Sequence, residues 1–148
     1  MNTLKLLVVS ALVAVSAAGC AITRVCNSDG GIEILQEENG KTDVRIDDIC
    51  FRDGLAVEDI ALRRNSVGIL TATIVVRNTL VDMDDHNRMD PFAMQYKVTW
   101  FDAGGMAVAP DLSLWEQMRL DGGATESIKV AAPTKEATRF VLRIKHVR

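Results

Sequence analysis

The sequence has few of the residues, and none of the motifs, on which common enzymes depend. Its 148 residues include two histidines, three cysteines and only seven aromatic side chains. A P-loop, a G-x-S-x-G nucleophile elbow, an H-E-x-x-H zinc motif and a C-x-x-C pair are all absent from it. Neither His86 nor His146 has a recognisable nucleophile near it in the sequence. We therefore predict no catalytic residues and expect a protein that is not an enzyme.

Two further absences limit the partners of the chain and its relation to a membrane. Basic residues are not in excess, because 17 Lys and Arg stand against 20 Asp and Glu, so the basic patch that nucleic-acid binding requires is missing. The longest apolar run, residues 6–15, is well short of the roughly 20 residues of a transmembrane helix. No motif indicates a cofactor or a small-molecule substrate. We therefore expect that the protein binds no nucleic acid, no cofactor and no small-molecule substrate.

What the N-terminus does contain is the pattern of a bacterial lipoprotein signal. A basic residue precedes the apolar run, and small residues then lead to Cys20 in the segment Ser-Ala-Ala-Gly-Cys, residues 16–20. This segment resembles a lipobox, with Ala17 at the position that is usually leucine. We expect residues 1–19 to be removed and Cys20 to receive a diacylglycerol thioether and an N-terminal acyl chain such as palmitate. The alternative is an ordinary signal peptide cleaved after Ala18.

The expected anchor predicts where the protein is found. One acyl chain binds a membrane only marginally, whereas two or more anchor a protein stably. Ala21, not aspartate, follows the cysteine, which in enteric-type lipoproteins resembles the sorting state for the outer membrane. We therefore expect a lipid anchor in the inner leaflet of the outer membrane, with the protein facing the periplasm.

Composition divides the mature chain into a tether and one domain. Residues 20–41 contain two stretches typical of turns and linkers, 27–31 and 37–40, and we interpret them as a lipidated N-terminus and a flexible tether. Within this tether, the short apolar patch 32–35 could pair as an edge strand. Residues 42–148 have the size of a single compact domain.

Alternating apolar residues predict that this domain is built from β-strands. Every second side chain is apolar in residues 70–76 and 94–100, and the alternation returns near the C-terminus in Phe140, Leu142 and Ile144. Turn signals recur about every 8–12 residues, which favours an all-β sandwich of about seven short strands.

Two glycine-containing segments predict hairpin turns. In residues 95–108, Trp100 is in phase with the apolar face of a strand, so we predict that it is buried. Residues 102–105, Asp-Ala-Gly-Gly, then supply the turn, which makes Asp102 a turn residue rather than a catalytic acid. We predict a second hairpin at residues 121–123, Asp-Gly-Gly. For residues 55–62 the periodicity leaves both strand and helix open.

The polar loop 82–90 is the strongest candidate for a functional loop. Met83, His86 and Met89 have a soft-ligand spacing that could suit copper, so a periplasmic metal-binding protein is our alternative function. As a calcium loop the segment fails, because His86 and Asn87 replace the required acid and glycine. The simpler interpretation, which we favour, is a solvated loop between two strands that retains no metal.

Cys26 and Cys50 remain in the chain after removal of the signal peptide. In an oxidising periplasm they are candidates for a disulfide that would join the tether to the first strand of the domain. Such a bond would stabilise the fold by up to about 3 kcal/mol. The alternative leaves Cys50 buried and free in the core, with Cys26 in the tether.

Three strings in the second half of the chain resemble the YcfL-like family of predicted periplasmic lipoproteins. They are YKVTWFDAGGMAV, LWEQMRL and IKVAAPTKEATRFVLRIK, and the resemblance covers roughly residues 67–145. The family pattern has a Y-x-x-x-W-F-D-x-x-G core, a downstream tryptophan and an A-P-T-x-x-A-x-x-F close. The matching residues are Tyr96, Trp100, Phe101, Asp102, Gly105, Trp115, Ala132, Pro133, Thr134, Ala137 and Phe140.

The resemblance implies an immunoglobulin-like β-sandwich on a lipid anchor, with no assigned activity. Members often lie beside a lipoprotein that activates a peptidoglycan synthase, which implies work in the cell envelope by association. We therefore expect a lipid-anchored periplasmic protein that binds another envelope protein without catalysis. A glycan-binding role would need exposed aromatic side chains, and with Trp100 buried only Trp115 and Phe101 could serve.

Overall fold

The computed structural model describes residues 31–46, 54–79 and 92–147. These ranges contain nine strands and one short 3-10 helix at Pro110–Leu112. Among them we find no helix with the length and apolar character that crossing a membrane demands. The strands are β1 (Ile32–Glu37), β2 (Thr42–Ile46), β3 (Leu55–Arg64), β4 (Leu70–Asn78), β5 (Phe92–Asp102), β6 (Ala107–Val108), β7 (Glu116–Leu120), β8 (Thr125–Ala131) and β9 (Ala137–His146).

The strands form two antiparallel sheets, which confirms the prediction of an all-β sandwich. The six-stranded sheet has the order β2-β1-β9-β5, and both β6 and β7 pair with the far side of β5. The three-stranded sheet has the order β3-β4-β8. The described residues thus contain nine strands, where the turn signals predicted about seven, because the edge beside β5 is divided and β1 and β2 extend the larger sheet.

The core lies between the two sheets and follows the alternation of the sequence. In β4, Leu70, Ala72, Ile74 and Val76 are buried while the residues between them are partly exposed, as the pattern predicts. In β9, Phe140, Leu142 and Ile144 are completely buried. Trp100 of β5 is 5% exposed, and its ring lies 5.4 Å from that of Phe140, centroid to centroid. The prediction that Trp100 is a core residue is therefore confirmed.

β1 corrects the interpretation of residues 32–35 as a patch at the edge of a sheet within a tether. The strand pairs with β2 on one side and β9 on the other, so it lies inside the sheet. Ile32 and Ile34 are completely or almost completely buried. Their apolar side chains contribute to the same core as Leu142 and Ile144. Residues of linker-like composition flank this short strand, and for that reason its pairing on both edges was not predicted.

β3 resolves the segment that the periodicity left open, because residues 55–62 form a strand. Its register against β4 shifts between Val57 and Asp59, and this irregularity disrupts the alternation that would otherwise have indicated a strand. β2 lies at the edge of the larger sheet, where Val44 and Ile46 are 44% and 36% exposed.

The turn at residues 121–123 is not a hairpin, so this prediction is wrong. β7 pairs with β5 in one sheet and β8 pairs with β4 in the other, so the turn carries the chain between the sheets. Buried Asn78 holds this crossing: its side-chain amide donates to the Leu120 carbonyl, and its backbone N–H donates to the Ala124 carbonyl. The Asp-Gly-Gly sequence indicates a turn, but it does not determine whether the two flanking strands pair with each other or with strands of different sheets.

Arg64 ties the two sheets together at one end of the sandwich, which we call the Arg64 end. Its guanidinium donates five hydrogen bonds: two to the Glu38 carboxylate, and one each to the carbonyls of Gly68, Lys135 and Ala137. All five N–H donors are therefore used. The hydrogen bonds from Arg64 hold the pKa of Glu38 below its usual value.

The predicted turn after Trp100 lies at this same end and is confirmed. The Gly105 N–H donates to the Asp102 carbonyl, and the Asp102 carboxylate accepts the Met106 N–H at 2.8 Å. Gly105 has a φ of 83°, a left-handed conformation that glycine adopts without strain. Asp102 thus fixes the turn through both its backbone and its side chain, as the sequence predicts.

Candidate binding groove

The edge strand beside β5 is interrupted, and this interruption creates the candidate site. β6 pairs with Trp100 and Phe101, and β7 pairs with residues 92–96, but residues 109–115 between them leave the sheet. We call residues 109–115 the excursion. It begins at Ala109, whose φ of 47° makes it the one non-glycine residue with a positive φ in the described ranges. The 3-10 helix follows at once, with a proline at its first position.

Ser113 fastens the excursion to β5. Its Oγ donates to the Val98 carbonyl at 2.7 Å and lies 2.8 Å from the Thr99 hydroxyl, which therefore donates to it. A continuous edge strand would satisfy this part of β5 with backbone groups. The serine hydroxyl replaces one of those hydrogen bonds, so the excursion has a fixed position although it is outside the sheet.

The excursion presents apolar side chains to solvent. Leu112 is 70% exposed, Leu114 is 69% exposed and Trp115 is 39% exposed. Leu112 and Leu114 line the same groove, so they form a patch rather than isolated exposed side chains. Patches of this kind on a folded domain are typical of surfaces that bind another molecule.

A groove of about 380 Å³ lies between this excursion and β8. One wall is the inner face of β5, with Tyr96, Val98 and Trp100. The opposite wall is β8 and the residues after it. The residues that line the groove are Tyr96, Val98, Trp100, Val108, Ala109, Leu112, Ser113, Leu114, Glu116, Lys129, Val130, Ala131 and Pro133. The groove therefore opens between the two sheets, on the side where the edge strand is interrupted.

β8 brings a row of backbone groups to this groove. The Ala132 N–H donates to the Leu70 carbonyl, and the Asn78 N–H donates to the Ala124 carbonyl. The even-numbered residues from Ala124 to Ala132 therefore point their backbone N–H and C=O groups toward β4. In an antiparallel ladder these groups alternate, so those of the odd-numbered residues, from Thr125 to Ala131, point the other way. No strand of the described ranges pairs with that side of β8. Among the described residues, β8 is thus an edge strand whose backbone is open to a further strand.

Tyr96 and Glu116 form a polar pair in the groove. The Tyr96 hydroxyl donates to the Glu116 carboxylate at 2.5 Å. Burial and this hydrogen bond to an anion raise the pKa of Tyr96 to about 12. The phenol therefore remains neutral at physiological pH. It acts there as a hydrogen-bond donor and an apolar surface, not as a base.

The structure brings together some of the residues that carry the family resemblance. Tyr96, Trp100 and Pro133 converge on the groove, and Trp115 ends the excursion beside it. Asp102 and Gly105 lie in the turn at the Arg64 end. Three residues of the groove, Leu112, Ser113 and Leu114, were not predicted from the sequence. The available signal was the loss of alternation after residue 108, together with a proline in a segment flanked by strands.

Several predicted residues lie outside the described residues. These are the lipidation site Cys20, the candidate disulfide pair Cys26 and Cys50, and the candidate ligands Met83, His86 and Met89. Within residues 31–46, 54–79 and 92–147, no three His, Cys, Asp or Glu side chains cluster in a way that could hold a metal ion.

Comparison with known proteins identifies the family. The model of a family described as "Protein of unknown function (DUF1425)" matches residues 42–146. The chain belongs to this family. The match includes the groove and its excursion but begins after β1, the strand that sequence reasoning also assigned to the tether. No curated protein matches the chain significantly.

Two solved structures are similar to this DUF1425 chain. The crystal structure of cj0090 from Campylobacter jejuni is 25% identical, with a TM-score of 0.50, over 62% of this chain and 85% of that one. A DUF1425 family member from Shewanella sp. PV-4 is 17% identical, with a TM-score of 0.52, over 84% of this chain and 95% of that one. The second similarity concerns the fold alone.

Proposed function

We propose that this DUF1425 chain is a lipid-anchored periplasmic protein of the bacterial envelope that binds another protein through the groove, without catalysis. The observation that carries the proposal is the groove itself. It places an apolar patch, an apolar wall and an open strand edge side by side. The lipoprotein signal ending at Cys20 and the motif resemblance to YcfL-like lipoproteins support the compartment.

The form of the groove favours an extended segment of a partner. Such a segment would add to the edge of β8, where the backbone groups of Ser127, Lys129 and Ala131 would give hydrogen bonds independent of sequence. Its alternate side chains would point into the groove between Trp100 and Leu112. Binding through an added strand uses main-chain hydrogen bonds for affinity and side-chain pockets for specificity.

Site-specific photo-crosslinking in the native envelope tests this proposal. A photoreactive amino acid is placed at Leu112, which lines the groove, or at Ser127, which lies in β8, the edge strand whose residues Lys129 to Ala131 line the opposite wall. The control position is Val67, which is 60% exposed in the turn between β3 and β4 at the Arg64 end. We expect the same crosslinked partner from Leu112 and Ser127 and none from Val67.

A matched pair of variants then separates the groove from the general surface. Leu112→Asp is expected to abolish the crosslink from Ser127, whereas Val67→Asp leaves it unchanged. Equal crosslinking from all three positions, or a crosslink that survives Leu112→Asp, would contradict binding at the groove.

The anchor has its own test. Cys20→Ser is expected to abolish metabolic labelling with a radioactive or alkynyl fatty acid and to remove the protein from the membrane fraction. The matched substitution Cys26→Ser keeps both properties. A wild-type protein that is unlabelled and already found in the soluble fraction would refute the lipid anchor but leave the groove open to the crosslinking experiment.

A further inference from the structure

Two lysines converge on the exposed tryptophan at the end of the excursion. Lys97 of β5 and Lys145 of β9 place their ammonium groups 5.3 Å and 4.2 Å from the centroid of the Trp115 ring. Neither ammonium group has a carboxylate within salt-bridge distance in the part of the chain that the structure describes. A partly exposed indole thus lies between two cations whose charges no described anion neutralises.

The carboxylates around this cluster are already paired with other groups. On the same outer face of the sheet, Glu33 binds Arg143 at 3.3 Å. Glu116, although next to Trp115 in sequence, turns to the inner face and accepts the hydrogen bond of Tyr96. Among the described residues, the positive charge near Trp115 that no carboxylate pairs is therefore that of Lys97 and Lys145, whereas Arg139 lies farther along the face, over Phe101.

This cluster lies at the end of the sandwich where the chain enters the domain. The register across the six-stranded sheet places Ile32 opposite Ile144, Ile144 opposite Tyr96, and Tyr96 opposite Glu116. The first residue of β1 and the residue after Trp115 therefore share one row. They are three strand spacings apart, about 14 Å. We call this the Gly31 end, and it lies opposite the Arg64 end.

Gly31 fixes the point at which the chain enters. A Cβ atom added to it would lie 2.3 Å from the Ile144 carbonyl oxygen, so the backbone packs directly against β9. Between Cys20 and Gly31, even a fully extended chain spans at most about 40 Å. An anchor at Cys20 would consequently keep the Gly31 end within about 40 Å of the membrane surface.

We propose that Trp115, Lys97 and Lys145 contact the headgroup layer of the membrane to which the chain is anchored. This inference rests on the proposed lipid anchor at Cys20. The indole of tryptophan favours the interface between headgroups and acyl chains. Lysine ammonium groups bind lipid phosphates and extend toward them while their apolar stems remain on the protein. The contact would orient a tethered domain instead of leaving it free to rotate on its linker.

Fluorescence quenching in vesicles tests this contact with the lipidated, mature protein. The protein is reconstituted in vesicles of phosphatidylethanolamine and phosphatidylglycerol whose acyl chains carry bromine, a short-range quencher of tryptophan. We expect strong quenching in the wild type and almost none in Trp115→Phe. The second tryptophan, Trp100, is only 5% exposed in the core and serves as the internal reference for a folded domain.

A charge-reversal pair isolates the lysines. In Lys97→Glu/Lys145→Glu, quenching is expected to fall toward the Trp115→Phe level, since each lysine near a lipid surface is worth about a fivefold change in the docking equilibrium. The matched control is Lys41→Glu/Lys135→Glu, which changes the same total charge on exposed lysines near the Arg64 end. We expect the quenching of this control to equal that of the wild type.

The outcomes distinguish this inference from the proposed function. If the protein is lipidated and floats with the vesicles but Trp115 is not quenched, this inference is refuted and the anchor stands. Equal effects of the two charge-reversal pairs would also refute it, because they would indicate general electrostatics rather than a contact at Trp115. If the protein has no acyl chain and does not float with the vesicles, the anchor fails and this inference fails with it.

Discussion

The two sides of β5 differ, and the difference separates the part of the molecule that holds the fold from the part available for binding. On one side, β9 pairs with β5 in continuous register through eight residue pairs, from Met94 to Phe101, before the register shifts at Asp102. On the other side, β6 supplies two pairs and β7 supplies five, with the excursion between them. Along one edge, β5 thus forms a continuous ladder with β9. Along its other edge, β5 borders the groove.

Val98 shows the contrast at a single position. Its partner in β9 is Leu142, which is completely buried. Toward the excursion, its carbonyl accepts a hydrogen bond from the Ser113 hydroxyl, and the residues on either side of Ser113 expose leucine side chains. Burying apolar area stabilises a fold by about 25 cal/mol per Å², so the exposed leucines of the excursion contribute little of that term. Their value to the protein must lie elsewhere, which is the physical case for a binding surface.

The largest predicted effect comes from the continuous side. Trp100→Ala removes a ring that packs 5.4 Å from Phe140 in the core. The cavity and the lost burial should lower the free energy of unfolding by about 3–5 kcal/mol. Denaturant titration followed by circular dichroism measures this loss. A loss below about 1 kcal/mol would mean that the Trp100 ring contributes little to the core.

The sequence was informative where a strand is covered on one face and continuous along its length. β4, β5 and β9 alternate cleanly because one face is buried, and their core residues were predicted correctly, Trp100 among them. Alternation cannot identify the partner of a strand, however. For this reason β7 and β8 were paired with each other, although each has its partner in a different sheet.

Local composition misled in two other places. β1 lies between linker-like residues, and only its long-range pairing with β9 makes it part of the core. In the candidate site, Tyr96, Trp100 and Pro133 were named from motifs, but nothing in the sequence placed Leu112 beside them. A groove is formed by two sheets meeting, so residues distant in sequence define it. Arg64 is a similar case, because its five hydrogen bonds join segments that are far apart in the chain.

We expect an intermediate loss of stability when the side chain that links the excursion to β5 is removed. Ser113→Ala leaves the Val98 carbonyl without its 2.7 Å partner and releases the excursion from β5. Leaving a partly buried acceptor unsatisfied costs about 1–3 kcal/mol. The control is Ser127→Ala, an exposed serine of β8 that should change stability by less than about 0.5 kcal/mol. Equal stability of the two variants would show that Ser113 does not hold the excursion.

Hydrogen exchange gives a second test of whether Ser113 holds the excursion against β5. In Ser113→Ala, amides of the excursion should exchange faster, while those of β9 keep their wild-type rates because the continuous ladder does not depend on Ser113. Faster exchange throughout the domain would mean instead that the serine supports the whole fold.

Tyr96 allows the groove to be probed by pH. Because its pKa is raised from 10.0 to about 12, the folded state favours the neutral phenol. Its contribution to stability is thus fully present below pH 10 and is lost as the pH rises toward 12. The chain has one tyrosine, so ultraviolet absorbance assigns the titration without ambiguity. Glu116→Gln removes the neighbouring anion and should lower the pKa of Tyr96; an unchanged titration curve would contradict the paired geometry.

The smallest expected effect on stability is the one that most clearly separates the two sides. Leu112→Ser alters a side chain that is 70% exposed, so the free energy of unfolding should change by less than about 0.5 kcal/mol. Leu142→Ala, on the other side of Val98, should cost about 2–5 kcal/mol because that side chain is completely buried. Leu112→Ser should nevertheless weaken the crosslink formed from Ser127. If Leu112→Ser destabilised the domain as Leu142→Ala does, the excursion would belong to the core, and the groove would lose the apolar surface that distinguishes it.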